Sequence, residues 1–264
     1  VTTLSSDSKV VSALVSEALK EEPVKIETAA PADNEVILPG GYMAPGGILV
    51  KHAEVKELNG ADEEAISRAG SLGKSLSTIL QRGVVSIGDE PVGKDTLDDL
   101  LAADRDALLL AIRRITFGNT VEYRALCKCG VDTIVDIDLV NDIPVKELDN
   151  PIQDRQWTVE TKLGPALIAL PTGVTQKRLL EATDRTTAEL STILLAGCVQ
   201  SIGGNISTGA TSVLKLGMAD REKLIEEIIE KNPGPRLGEV SKTCEACGDS
   251  VETPLSLVAL FRLQ

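Results

Sequence analysis

Aromatic side chains are scarce in this 264-residue chain: Tyr42, Phe117, Tyr123, Trp157 and Phe261 make up 2% of it. A chain so poor in rings lacks the stacking platforms of base-stacking nucleic-acid binders, and its core has to be built from Leu, Ile, Val and Ala. Histidine occurs once, at His52, which removes most metal-hydrolase and triad mechanisms that draw on imidazole at several places. Positive charge is also short. The 27 Lys and Arg against 40 Asp and Glu leave a formal net charge of −13, so the chain as a whole repels phosphate backbones and anionic membranes. No apolar run approaches the roughly 18 residues of a membrane span, and the first twenty residues lack the basic and then apolar regions of a signal peptide. Without secretion, the five cysteines read as thiols or metal ligands rather than as a disulfide framework.

What is present is enough for a packed core: 42% hydrophobic and 25% charged residues fit a globular chain of one large domain or two small ones. Residues 1–35 stand apart. EEPVKIETAAPADNE carries prolines, acids and small residues without periodicity, the composition of a flexible arm. Within it VVSALVSEALK, residues 10–20, is either a short amphipathic helix that docks on a partner or part of a solvated arm.

Beyond this arm the chain reads as an internal duplication. LSTILQRGVVSIG (Leu76–Gly88) matches LSTILLAGCVQSIG (Leu190–Gly203), ADRDALLLAI matches ADREKLIEEI, and CKCG (Cys127–Gly130) matches CEACG (Cys244–Gly248). Three blocks in one order at nearly constant spacing are the signature of two copies of one unit, here residues 36–148 and 157–264. The joint at 149–156 contains the turn residues Asp149, Asn150 and Pro151. Each copy begins with an extended apolar segment (GGILVKHAEVKEL, GPALIALPTG). Helices follow around Asp62–Ala69 and Thr175–Thr183, and then through LSTIL toward SIG. Asp104 and Asp220 stand where an N-cap belongs for the helix that each ADR opens. The segments TVEYRALCKCGVDTIVDIDL and LGEVSKTCEACGDSVETPLSL predict a β-hairpin with cysteines at its tip. The fold class expected is therefore α+β, mostly helical, internally duplicated, each half ending in a Cys-bearing β-hairpin.

The cysteines carry the most specific chemistry. Cys127 and Cys129 form C-x-C, and Cys244 and Cys247 form C-x₂-C. Each pair is followed at once by a glycine, Gly130 or Gly248, which permits the tight turn that aims two sulfurs at one point. Four thiolates from two such turns match a tetrahedral structural Zn²⁺ site that would clasp the two halves together. The C-x-C is tighter than the usual spacing. Free buried thiols and a redox C-x₂-C remain alternatives; the redox motif usually opens a helix, whereas these flanks read as strands. Cys198, on an apolar helix, reads as a core residue.

The other motifs read as structure. GDEPVGKD (Gly88–Asp95) nearly matches a phosphate-binding loop, but Asp89 and Glu90 put carboxylates where phosphates would rest, and Asp95 replaces the metal-holding hydroxyl. It reads instead as a loop before the LDDLLAAD helix. His52 has no nucleophile near it in sequence and reads as an exposed or half-buried strand residue. LPGGYMAPGG (Leu38–Gly47) predicts a defined turn, with Tyr42 and Met43 as contact residues if it is a binding loop.

The LPGGY loop, the ADRD helix, the FGNTVEY strand and the Cys pair closing each half resemble the baseplate hub assembly proteins of T-even contractile phages, and similar proteins of contractile injection systems. The resemblance spans roughly residues 36–264. It implies a non-enzymatic structural or assembly component of a contractile tail baseplate, acting in the cytoplasm of the producing cell and possessing no catalytic residues. It also implies hub or spike-proximal proteins as partners, with retention in the finished particle left open. A zinc-ribbon adaptor unrelated to phage tails is the alternative reading. An enzyme is disfavoured, because no nucleophile–base pair or cofactor loop emerges.

Overall fold

The structure is a computed structural model that describes residues 34–253 and 255–261; the segment at 10–20 lies outside them. The chain opens with β1 (Glu35–Ala44) and β2 (Ile48–Val55), then α1 (Gly60–Ser67), α2 (Leu72–Gly83), β3 (Val84–Ile87) and β4 (Glu90–Pro91). α3 (Lys94–Asp99), the long α4 (Ala102–Phe117), β5 (Thr120–Leu126) and β6 (Asp132–Asp138) follow. After β7 (Val145–Lys146), the order resumes with β8 (Gln156–Thr161), β9 (Gly164–Ala169), α5 (Gly173–Glu181), α6 (Thr187–Cys198), β10 (Val199–Ile202) and β11 (Asn205–Ile206). Then come α7 (Ala210–Val213), α8 (Met218–Lys231), β12 (Gly234–Pro235), β13 (Ser241–Thr243), β14 (Ser250–Glu252) and α9 (Leu257–Leu260).

Two antiparallel four-stranded sheets anchor the molecule, one ordered β1-β2-β3-β4 and the other β11-β10-β9-β8. Against the first pack α2 and α4, around Leu38, Leu76, Ile79, Leu80, Leu108 and Ile112. Against the second pack α6 and α8, around Ile168, Leu195, Cys198, Val199, Leu224 and Ile228. The helices start where the sequence can satisfy their free N–H groups. Asn59 and Asp62 form a reciprocal capping box at α1, as do Thr186 and Glu189 at α6. The residues of α2 facing the core (Leu76, Ile79, Leu80, Gly83) lie three and four apart, the spacing of one helical face.

The expectation of a mostly helical chain is corrected: helix accounts for 38% and strand for 30%. Three segments account for much of the difference. LSTIL does form a helix, but the helix stops at Gly83 or Cys198, and VVSI and VQSI continue as the inner strands β3 and β10. A four-residue apolar run cannot be told from one more helical turn by periodicity, and the β-branched residues favour the pleated surface. LPGGYMA is strand rather than turn. β1 runs through it on a wide irregularity, with Ile37 opposite His52 and Tyr42 opposite Val50. Tyr42 consequently rests half-buried on the first core. LDDLLAAD is two helices, because Leu100 and Leu101 turn extended between α3 and α4.

Asp104 and Asp220 are likewise not N-caps; those positions belong to Leu101 and Gly217. Both carboxylates are buried in the first helical turn and reach across to a β-hairpin. Asp104 Oδ1 accepts from Gly40 N at 2.7 Å and Gly41 N at 3.3 Å, and Asp220 Oδ2 accepts from Lys162 N at 3.1 Å. Arg155 joins the same contacts, since its Nη2 donates to the carbonyls of the same two glycines.

Residues 97–106 and 171–176 meet at the start of α4. Leu101 bridges to Thr172, Ala102 N donates to Pro171 O at 2.8 Å, and Gly173 N donates to Leu100 O at 2.8 Å. Arg105, 2% exposed, binds Leu97 O at 2.7 Å and Gln176 Oε1 at 2.7 Å, and Gln176 Nε2 reaches Asp106 at 2.6 Å. Leu101, Leu148 and Leu170 form a small core of their own, with Trp157 packed against it. A third core forms where Leu110, Ile137, Leu139 and Ile143 pack with Val240, Leu255 and Leu260. Among the described residues, no helix is long and apolar enough to cross a membrane.

Candidate metal centre

The third core sets two hairpins side by side. β5 and β6 pair in continuous antiparallel register from Thr120↔Asp138 to Leu126↔Asp132, which leaves Cys127–Val131 as the tip. β13 and β14 pair from Ser241↔Glu252 to Thr243↔Ser250, leaving Cys244–Asp249. The two tips close in the same way. Cys127 N donates to Val131 O at 3.0 Å and Gly130 N to Cys127 O at 2.9 Å. Cys244 N donates to Asp249 O at 2.8 Å and Gly248 N to Cys244 O at 2.8 Å. Gly130 and Gly248 sit at φ of +85° and +80°, a region where a Cβ would be strained, so each tip needs its glycine to fold back on the first cysteine.

This fold-back gathers the sulfurs of Cys127, Cys129, Cys244 and Cys247 within 4.8 Å of one another. Cys127 and Cys247 are 3.6 Å apart and Cys129 and Cys244 are 4.0 Å apart, so each close pair joins one cysteine from either hairpin. These separations exceed a disulfide bond and all five cysteines are free. A tetrahedron of thiolates at Zn–S of about 2.3 Å has sulfurs about 3.8 Å apart, close to the 3.6 and 4.0 Å of these two pairs. Cys127 and Cys244 are buried beside Val251, while Cys129 and Cys247 are exposed. Backbone N–H groups of Cys247 and Ala246 directed at the Cys244 sulfur hold that thiol down to about 7, whereas Cys247, against the lowering effect of the Asp249 amide, is pushed up to about 12 by the neighbouring sulfurs and burial, and Cys127 is also raised. Four protein sulfurs would fill the tetrahedral shell of a bound metal and leave it no open position for substrate, as in structural centres.

The remaining candidates do not join this site. Cys198 is fully buried in the second core, where burial pushes its thiol up to about 12. His52 Nδ1 pairs with Glu35 Oε1 at 2.9 Å on the exposed side of the first sheet. In Gly88–Asp95, Glu90 and Pro91 form a short strand and Gly93 starts α3 without a side-chain cap.

A family model described as T4 bacteriophage base plate protein matches residues 53–262, a stretch that takes in the second sheet, β3 and β4 of the first, residues 97–106 and 171–176, and all four clustered cysteines. The chain belongs to this family. The baseplate family match begins inside β2 and so leaves β1 outside it. No curated protein and no solved structure matches the chain. The residues that sequence reasoning missed for this baseplate protein are those of the junction, Arg105, Asp106, Arg155 and Gln176. Their one trace in sequence is an arginine following each buried aspartate, Arg105 and Arg221.

Proposed function

We propose that this chain is a non-enzymatic structural or assembly component of a contractile-tail baseplate, of a phage or a phage-tail-like injection system. In it one Zn²⁺ held by Cys127, Cys129, Cys244 and Cys247 clasps two copies of one folding unit. The copies are residues 36–148 and 157–264, joined by 149–156. The observation that carries the reading is the convergence of four sulfurs from two hairpin tips more than a hundred residues apart, in a chain of the base plate family. The order of elements supports the duplication: strand pair, two helices, strand pair, short helix, long helix and Cys-bearing hairpin occur twice. The protein works by contact with hub or spike-proximal baseplate proteins during assembly in the producing cell's cytoplasm, and travels with the particle if it is retained.

Two measurements test this. Purified protein is expected to carry close to one zinc per chain, lost on Cys→Ser change at any of the four positions and kept in Cys198→Ala. Metal-free protein with undiminished thermal stability would end the zinc reading. Deleting the gene is expected to leave sheath and tube proteins made but baseplates incomplete; normal firing or infectious particles from the deletion strain would end the assembly reading.

A further inference from the structure

The four clustered sulfurs sort into two pairs by exposure as well as by distance. Cys127 is buried and lies 3.6 Å from the exposed Cys247; Cys244 is buried and lies 4.0 Å from the exposed Cys129. Each close pair therefore takes one sulfur from the β5–β6 tip and one from the β13–β14 tip, and sets a sulfur that a small solute reaches beside one that is shielded. An approach of about 2 Å or less brings either pair to the S–S length of about 2.05 Å. The partners are held near each other by packing and not by a metal alone, since the third core joins the two hairpins and Ala125 and Val251 pack around Cys127 and Cys244.

An exposed thiolate with a second thiolate beside it is the arrangement that turns a peroxide's attack into a disulfide. The Cys247 thiolate attacks an oxygen of hydrogen peroxide: the S–O bond forms, the O–O bond breaks and hydroxide leaves, so the sulfur becomes a sulfenic acid. The Cys127 thiolate then attacks that sulfur: the S–S bond forms, the S–O bond breaks and a second hydroxide leaves. Cys129 and Cys244 repeat the two steps with a second peroxide. Four thiolates give up four electrons, two peroxides take them and become four hydroxide ions, and no thiolate remains to hold Zn²⁺, which is released. Cys198, fully buried in the second core, stands outside this chemistry.

The geometry points to a second, covalent form of the clasp: a hydroperoxide converts the zinc centre into two disulfides that cross between the hairpins, Cys127–Cys247 and Cys129–Cys244, and expels the metal. The hairpins stay joined in both forms. Thiolates hold zinc in a reducing compartment and disulfides persist in an oxidising one, so a particle that carries this chain out of the producing cell keeps the clasp closed as its surroundings change. The two bonds span 120 and 115 positions of sequence, and long loops are those whose closure most restricts the unfolded chain; a bond within one tip would restrict it little. The inference rests on the zinc reading of the cluster.

The test is hydrogen peroxide added to the full, zinc-loaded chain under native conditions, with released zinc read by a chromogenic chelator. About one zinc is expected per two peroxides consumed, and dithiothreitol with added zinc is expected to restore the original content. The bonds are then assigned by mass spectrometry without reduction, after remaining thiols are alkylated. Trypsin cuts between Cys127 and Cys129 at Lys128, and a glutamate-specific protease cuts between Cys244 and Cys247 at Glu245, so every pairing gives its own peptides. The expected products join Cys127 to Cys247 and Cys129 to Cys244, with Cys198 still a thiol, and the oxidised zinc-free chain is expected to melt above the reduced zinc-free chain. Any other pairing, sulfinic acids at Cys129 and Cys247 in place of disulfides, or zinc retained at excess peroxide overturns the proposal. Zinc-loaded protein that fails in one of these ways sinks this inference alone; protein that holds no zinc before oxidation sinks the zinc reading beneath it.

Discussion

Asp104 concentrates the physics of the molecule into one side chain. It is fully buried, one oxygen takes two glycine amides, and the other has no hydrogen-bond partner among the described residues. Burial pushes its carboxyl from 3.8 up to about 7, against the lowering effect of the Gly40 amide and the Arg155 guanidinium. The folded state therefore holds a proton that the unfolded chain releases near pH 3.8. Its contribution to stability is fully present below that pH and is lost as pH rises through about 7. Asp104→Asn keeps an acceptor for Gly40 and carries no charge to bury. Urea midpoints at pH 5 and pH 7.5 are expected to fall less for the variant than for the natural chain over this interval; identical changes would show that Asp104 titrates outside it. Gly173→Ala should cost about 1–3 kcal/mol by forcing the Leu97 carbonyl and Arg105 apart, read as a lower urea midpoint, whereas a cost near zero would mean the junction is looser than its distances.

At the scale of elements, the two helices of the LSTIL blocks differ in what surrounds them. α2 buries Leu76, Ile79, Leu80 and Gly83, and α6 buries only Leu195 and Cys198 among its residues. Ile79→Ala is expected to cost about 2–5 kcal/mol, the transfer and cavity cost of a large buried aliphatic. Ile193→Ala, on a half-buried site, should cost clearly less. Equal losses in denaturant titrations would mean that the halves share their burden through the junction. The LSTIL helices were legible in sequence because their apolar spacing is long enough to be distinctive. β3 and β10 were not, because a four-residue run carries no period of its own and becomes a strand only when β2 or β9 is beside it.

For the whole molecule, the cysteine cluster joins a hairpin from the middle of the sequence to one near residue 250, so loss of a metal held there would act on both hairpins together. Chelation is expected to lower the thermal midpoint by about 5 °C or more, since each kcal/mol moves a chain of this size by about 2–4 °C. It should also expose amides of β5, β6, β13 and β14 to hydrogen exchange before those of the two large sheets. Protection lost first in β1–β4 would contradict a clasp located at the hairpins.

The sequence by itself determined the parts whose chemistry is local. A cysteine pair followed by glycine makes a tight turn with sulfurs at its tip, Asn59 with Asp62 caps a helix, and the scarcity of rings and of histidine narrows the chemistry available. Tertiary structure decided everything that depends on distance across space. It brought the C-x-C and C-x₂-C turns to one point, turned Asp104 from a helix cap into a partner of Gly40, and covered the start of α4 with Pro171–Gln176. Those outcomes depend on which surfaces meet, and no nearest-neighbour preference along the chain encodes a meeting between residues a hundred positions apart.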